Sequence, residues 1–583
     1  MNQTYALTAV TAVVVATVLV GALGLRISRT TSDFYVASRT VGPRLNAAAI
    51  SGEYLSAASF LGVAGLVLLQ GPEMLWYPVG YTAGYLVLLV LVAAPLRRSG
   101  AYTLPDFAEA RLESRAVRRL AVLFVVGVGW LYLVPQLQGA GLTLEVMTGA
   151  PYWVGGLVVA CVVTAAVAAG GMRSITFVQA FQYWLKLTAL LVPAFFLITA
   201  WAGDGAPRAS FDARAVFREH TAVRLAQDVR VSLEAPLTVA VTGQVDGRTY
   251  GGEAVVLAAG QHSVRADTRL EFAAGSPVPD TRTEAGPGGS GWSRPLAGDE
   301  GGHRLYATYG LILATFLGTM GLPHVAVRFY TSPDGRTARR TTLVVLGLVG
   351  AFYLLPPVYG ALGRIYAPEL SLTGDADAAV LVLPERMLGG VLGDVLGALL
   401  AGGAFAAFLS TASGLTMAVA GVLHQDVLAR PRASGTGTFR IAVLVAMLVP
   451  LAGSVLTAEV PVADAVGLAF AVSASSFCPL LVLGIWWRGL TPPGAVAGLV
   501  TGGGAALGAV LATRAGAAPE GWAHALLAWP AAWSVPLGFL TMVLVSLATR
   551  SRVPAGTAAT LARLHLPEDT AAPPGWTPEG SVR

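Results

Sequence analysis

Residues 46–70 read NAAAISGEYLSAASFLGVAGLVLLQ, an apolar stretch of membrane-spanning length that Ser51-Gly52-Glu53 interrupts. Residues 304–328 read RLYATYGLILATFLGTMGLPHVAVR, where Gly318, Gly321 and the Pro323-His324 pair make a similar interruption. A helix broken inside a bilayer exposes backbone groups that lipid cannot satisfy. Such a break persists only where the freed groups line a cavity or hold something. Two breaks in matching places of two halves point to the binding site of a secondary transporter.

Composition agrees. The 583 residues are 55% hydrophobic and 12% charged, with mean hydropathy +0.65. Soluble domains carry about 25% charged residues, so an all-α polytopic membrane protein is expected. Lys186 is the one lysine in the chain, which excludes a phosphate loop built on Gly-Lys-Ser/Thr. No HExxH or CxxC spacing occurs, and Cys161 and Cys478 both sit in apolar spans. The chain is therefore read as no enzyme and as needing no cofactor, with an ion gradient left as the driving force. A pI near 9.2 is assigned to arginines gathered on one side of a bilayer, not to nucleic acid.

A span needs about 20 apolar residues, and thirteen are expected: 4–25, 46–70, 74–96, 120–145, 152–170, 176–201, 304–323, 341–363, 388–421, 440–457, 461–485, 494–513 and 528–548. Arg26, Arg29, Arg39 and Arg44 follow the first span, and no basic residue precedes it. That order is the reverse of a signal peptide. Alternate loops then hold most of the arginines, including Arg97, Arg98, Arg111, Arg118, Arg328, Arg430, Arg432 and the tail to Arg583. The positive-inside rule places the N-terminus outside and the C-terminus in the cytoplasm of a plasma-membrane protein.

Six regions follow: an extra helix and loop (1–45), five helices (46–201), an insertion (202–303), five more helices (304–485), two C-terminal helices (486–549) and a tail (550–583). An odd number of spans per group inverts the second five relative to the first, with a broken span opening each. In the insertion, Val229, Val231 and Leu233 alternate with polar residues, and Asp246-Gly247 is a hairpin turn. A small β-rich extracellular module is expected, with a Gly/Pro/Ser-rich flexible linker after Ala274. It is either a decorated loop without a transport role or a docking place for an unidentified partner.

Within AGGAFAAFLSTASGL (401–415), Ser410 and Thr411 put two adjacent hydroxyls in an apolar, small-residue span. Hard cations take oxygen ligands, and hydroxyls with carbonyls freed by a broken helix would replace a hydration shell. The structural alternative is that both hydroxyls bond the preceding turn or join helices.

The strings SGEYLSAASFLG (51–62), LYLVPQLQGAG (131–141), GTMGLPHVAVRFYT (318–331) and FLSTASGL (408–415) resemble the sodium:solute symporter family, and within it the bacterial acetate and monocarboxylate permeases. The resemblance covers about 30–490 without the insertion. It implies a LeuT-like 5+5 inverted-repeat core and cation-coupled uptake by alternating access. It also implies a sodium site made by the carbonyls of Gly52, Leu55 and Ala407 with the hydroxyls of Ser410 and Thr411. One departure keeps proton coupling open: Gln179 stands where the family's sugar transporters carry an aspartate.

Further candidates line the same region. Lys186 sits near mid-membrane, where charge costs about 2.5–3.5 kcal/mol on insertion scales. It forms a polar stripe with Gln179 and Gln182, and is read as attracting an anion, exchanging a proton, pairing with Glu53 or snorkelling to structural carbonyls. Glu53 is read as a gating or capping carboxylate. His324, Gly321, Ser56, and Tyr132 and Gln136 beside the kinking Pro135 are read as substrate-side residues. Sodium symport of a small monocarboxylate such as acetate, propionate or pyruvate is the resulting expectation, in contact with membrane lipid. The alternatives are a permease for a proline-like amino acid or other metabolite, and more remotely a transporter-like sensor.

Overall fold

The structure, a computed structural model, describes residues 3–25, 40–206, 215–225, 227–281, 292–293, 303–428, 436–457, 462–516 and 521–568. Arg26, Arg29, Arg39, Arg430, Arg432 and Arg583, and the 282–291 part of the expected linker, lie outside these residues.

Helix α1 (Gln3–Leu25) precedes α2 (Pro43–Tyr54) and α3 (Val63–Gln70), with a π-helical turn at Ala58–Gly62. Then come α4 (Trp76–Val87), α5 (Ala93–Arg98), α6 (Leu104–Leu112), α7 (Arg115–Thr148) and α8 (Tyr152–Gly203). Beyond the insertion lie α9 (His303–Gly321), α10 (Pro323–Phe329), α11 (Gly335–Tyr353), α12 (Pro356–Tyr366) and α13 (Leu370–Thr373). Next are α14 (Ala379–Leu388), α15 (Gly390–Val422), α16 (Thr436–Leu456) and α17 (Val462–Trp486). The remaining helices are α18 (Pro492–Gly498), α19 (Gly504–Arg514), α20 (Trp522–Ala528), α21 (Ala531–Ala548) and α22 (Thr557–His565).

Both breaks exist, and the first is displaced from its expected position. Ser51, Gly52 and Glu53 are helical; the chain leaves the helix at Leu55 (φ −75°, ψ 92°). Helical bonding runs up to Leu55 N–H→Ser51 O at 3.0 Å and resumes with Phe60 N–H→Ser56 O at 2.9 Å. Gly52 serves close approach rather than interruption: a methyl there would collide with the Gln179 carbonyl. The second break falls at Leu322 (φ −66°, ψ 120°), and α9 and α10 meet at a 43° bend. Pro323 causes it, because the residue before a proline is pushed out of helical geometry. Gly318 and Gly321 stay helical and let α17 approach through Phe470, Ser473 and Phe477.

Among the described residues, ten helices are long and apolar enough to cross a membrane, or eleven if α9 and α10 form one span. This count is below the thirteen expected. Two of the ten, Ala58–Arg98 with 41 residues and Tyr152–Gly203 with 52, are about twice the length that one crossing needs. In α8, Gly171 at φ 58°, ψ −168° occupies a region open only to glycine, and it divides the helix into two arms.

The insertion is a seven-stranded sheet ordered β1-β6-β3-β5-β2-β7, with β4 on β3. Its strands are β1 (Thr221–Arg224), β2 (Val229–Leu233), β3 (Leu237–Val245), β4 (Arg248–Leu257), β5 (Gly260–Val264), β6 (Arg269–Phe272) and β7 (Asp280–Thr281). Asp246 (φ 50°) and Gly247 (φ 77°) make the β3–β4 turn, the two-positive-φ geometry hairpins favour. The stretch expected to be linker from Ala274 instead carries β7 against β2. Leu372 of α13 completes the insertion's apolar core, and Trp292 Nε1 donates to Val67 O (2.9 Å) and Leu68 O (3.0 Å) on α3.

Within the sheet, His262 Nδ1 meets Asp246 Oδ2 at 2.6 Å and Nε2 meets Ala258 O at 2.8 Å. Two acceptors call for a doubly protonated ring. Burial lowers the His262 pKa, but the Ala258 carbonyl and the Asp246 carboxylate outweigh it and hold the group above its ordinary value. The resulting stabilisation is complete below the unfolded value of about 6.5 and is lost as pH rises through the folded one. Hydrogen exchange at β5, corrected for intrinsic rate, should therefore be faster at about pH 8 than at about pH 6. His262→Gln should erase that difference.

Candidate cation and substrate site

The second arm of α8 lies against α2 and α15, and glycines set the spacing. Besides Gly52, Gly403 admits Ala189 and Phe60, and a methyl on Gly414 would strike the Glu53 carboxylate. These contacts bring Lys186, Gly52, Leu55 and Ser410 to one point, all fully buried or nearly so.

Lys186 Nζ donates to the carbonyl of Gly52, to Leu55 O at 2.7 Å and to Ser410 Oγ at 2.9 Å. The Gly52 and Leu55 carbonyls flank the break, where regular helical bonding stops. Ser410 Oγ directs its own proton to Gly52 O (2.7 Å) or Ala407 O (3.0 Å). Thr411 Oγ1 donates to the Glu53 carbonyl at 2.6 Å instead of facing the ammonium. Of the five residues expected around a cation, Gly52, Leu55 and Ser410 surround Lys186 directly. Ala407 joins through Ser410, and Thr411 bonds the backbone next to them.

The expected Lys186–Glu53 pair does not form. Arg328 of α10 takes the Glu53 carboxylate through Nε, reaches Gln179 Oε1, and donates to Thr176 Oγ1 at 2.9 Å. Arg328 had been assigned to a cytoplasmic loop, yet its side chain is 1% exposed. Arg111, also assigned to a loop, is buried on Gly484 O at 2.8 Å and Trp487 O at 3.0 Å. Gln179 passes the cluster on to α15 through Ser410 O (2.8 Å) and Ser413 Oγ (3.2 Å). Below it, Asn46 Nδ2 holds Arg328 O at 3.4 Å and Ser332 Oγ at 3.3 Å. The polar stripe on α8 splits: Gln179 and Lys186 face the break, while Gln182 turns to Thr17 of α1 at 3.0 Å.

A second group gathers between the breaks. His324 lies edge-on to Tyr132 at 5.3 Å, and Tyr132 meets Phe470 at 5.8 Å. Ser56 is buried beside Tyr132. Gln136 Oε1 accepts the Ala57 amide at 2.9 Å, capping the continuation of the first broken helix. Both ring nitrogens of His324 and the hydroxyls of Tyr81 and Tyr85 are buried without a hydrogen-bond partner among the described residues. Gly321 is not a lining residue but a packing contact against Ser473 and Phe477. Gln138, on the same helix as Tyr132 and Gln136, donates to Thr457 Oγ1 at 3.0 Å.

Sequence reasoning missed Arg328, Thr176 and Asn46. Arg328 ends the second broken stretch next to the helix terminus, where an arginine ordinarily reads as interfacial; its pairing with Glu53 spans 275 positions. Removing one partner of a buried pair leaves an uncompensated charge and costs about 3–5 kcal/mol. Arg328→Met should therefore lower unfolding stability in detergent by about that amount. Adding Glu53→Gln should recover much of the loss, and no recovery would mean the pair is not what holds α10 on α2.

The comparisons with known proteins identify the family. The profile of the "Sodium:solute symporter family" matches residues 34–227 and 278–502. The uncharacterized symporter YwcA of Bacillus subtilis is 29% identical over 545 residues, covering 91% of each chain. An uncharacterized symporter of Cupriavidus necator is 30% identical over 616 residues, covering 90% of this chain and 88% of that one. The Monocarboxylic acid transporter of Corynebacterium glutamicum is 29% identical over 542 residues, covering 88% and 87%. In fold, the chain is similar to a Na+-coupled sialic acid symporter solved substrate-bound and outward-open, at TM-score 0.58 and 13% identity over 93% of this chain and 98% of that one. Its broken helices and buried polar centre are thus those of a multi-pass transporter and not of an enzyme, and the chain belongs to the sodium:solute symporter family.

Proposed function

We propose that the chain imports a small monocarboxylate of the acetate, propionate or pyruvate type together with a cation, by alternating access. The observation that carries this reading is the charge of the buried centre. The buried centre contains two cationic side chains, Lys186 on backbone carbonyls and Arg328 on Glu53, and one carboxylate, Glu53, so with all three ionised the cluster holds one excess positive charge. A monoanion bound close to it restores neutrality, whereas a neutral sugar does not. The unspent donors of His324, Tyr81 and Tyr85 lie in one aromatic cluster with Tyr54, Tyr132 and Phe470. The name of the Corynebacterium glutamicum relative supports the same substrate class.

The transport cycle follows from the breaks. α10 carries Arg328 onto Glu53, Thr176 and Gln179, and this seal lies at the end of the site that arginine asymmetry assigns to the cytoplasm. Inward release requires the seal to part, with the extended residues Leu55 and Leu322 taking up the bend. Thirteen spans, a 5+5 inverted core, an outer N-terminus, a cytoplasmic C-terminus and an extracellular insertion complete the proposed topology in the plasma membrane.

Labelled acetate, propionate and pyruvate, with L-proline alongside, should be offered to proteoliposomes under imposed cation gradients. Accumulation of a monocarboxylate above the electrochemical equilibrium of a passive pore is expected. Proline uptake alone would move the reading to an amino-acid permease. Losing a substrate hydrogen bond costs about 0.5–1.5 kcal/mol, so His324→Ala should raise KM by several-fold with a smaller change in Vmax.

A further inference from the structure

We propose that the Lys186 ammonium is the resident cation of this site, and that the chain does not bind sodium between Gly52, Leu55 and Ser410. The inference rests on the transport reading above and concerns which cation occupies the site. An ammonium has three N–H donors, and three oxygens receive them: two carbonyls that can only accept, and a Ser410 hydroxyl whose proton is already directed to Gly52 O or Ala407 O. The fit is one donor to one acceptor with none left over. A neutral amine would spend its two N–H bonds on the carbonyls and accept the Ser410 hydroxyl proton, so only the ammonium leaves that proton for Gly52 O or Ala407 O.

Sodium would need the same oxygens. Its approach would require the ammonium to leave a pocket in which every surrounding element is packed: Tyr183 and Gln179 on its own helix, α2 on one side and α15 on the other. The Thr411 hydroxyl, a fourth ligand in the expected set, is committed to the Glu53 carbonyl at 2.6 Å. The negative partner is committed too, since Glu53 is paired with Arg328. The oxygens that the family resemblance assigns to sodium are therefore present, but the chain satisfies them with its own side chain.

The test compares the purified full chain with Lys186→Ala and Ser410→Ala variants in detergent. Binding of 22Na+ and the rise in unfolding temperature with NaCl over choline chloride are measured. The wild type should show no stoichiometric sodium binding and no sodium-specific stabilisation. Lys186→Ala vacates the three oxygens and should gain both, and adding Ser410→Ala should remove the gain. Wild-type sodium binding that disappears in Ser410→Ala overturns the proposal. A Lys186→Ala chain that folds but stays blind to sodium also overturns it, because Lys186 would not be what excludes the ion.

Should Lys186→Ala fail to fold, the wild type alone decides. Lys186 is the one lysine, so 15N-lysine labelling reports a single side-chain amine. A resonance unmoved by NaCl supports occupation by the ammonium, and one displaced by saturating sodium overturns it. Failure of the transport reading is separable, since absence of uptake for every substrate leaves these binding measurements unchanged.

Discussion

The centre of the molecule depends on a shortage of acceptors. A helix consumes its own carbonyls, so a buried ammonium has nothing to bond unless a helix is stopped beside it. Leu55, in extended geometry at ψ 92°, is that stop, and it leaves Gly52 and Leu55 oxygens available in the buried interior. Lys186 and the break therefore need each other: without the lysine, freed carbonyls would face apolar packing, and without the break the lysine would face none. Unpaired polar groups in such surroundings cost several kcal/mol each, which explains why small residues crowd this junction. Gly52, Gly403 and Gly414 remove side-chain bulk where three helices must nearly touch.

Around this point, charge is arranged in a chain rather than in isolated pairs. Lys186 holds α2 to α15 through Ser410, Arg328 holds α10 to α2 through Glu53, and Gln179 ties Arg328 to α15. The elements α8, α10 and α15 thus each carry one end of a polar contact on α2. Conformational change in this core means exchanging such contacts as a set, because leaving one charge unpaired is more costly than moving all of them.

Much of this was legible in the sequence because breaks advertise themselves. Pro323 fixed the second to within a residue, and glycines and hydroxyls marked the first to within a few. The Ser410-Thr411 pair stood out for the same reason, as polar atoms where apolar ones are the norm. The β insertion was readable from alternation and from Asp246-Gly247. Partner choice was not readable. Lys186 and Gly52 are 134 positions apart, and a four-carbon stem reaches carbonyls or a carboxylate equally well on periodicity alone. Arg328 looked interfacial because it ends an apolar stretch next to a helix terminus, whereas its neighbours in space are Glu53 and Thr176. The docking of Leu372 into the insertion's core has no local signature, since a leucine in a short helix faces anywhere.

Among the described residues, the insertion meets the transporter core through Leu372 within its apolar interior, Thr281 Oγ1 on Ser371 O at 3.1 Å, Arg218 over the Tyr366 ring at 4.7 Å, and Trp292 on the carbonyls of Val67 and Leu68. Those two carbonyls of Val67 and Leu68 belong to α3, which continues the chain beyond the break at Leu55. The sheet itself is braced on α12 and α13 through Arg218, Thr281 and Leu372. A load on the sheet, from a polymer threaded past it or an antibody clamped on it, therefore bears on α12 and α13 through these contacts.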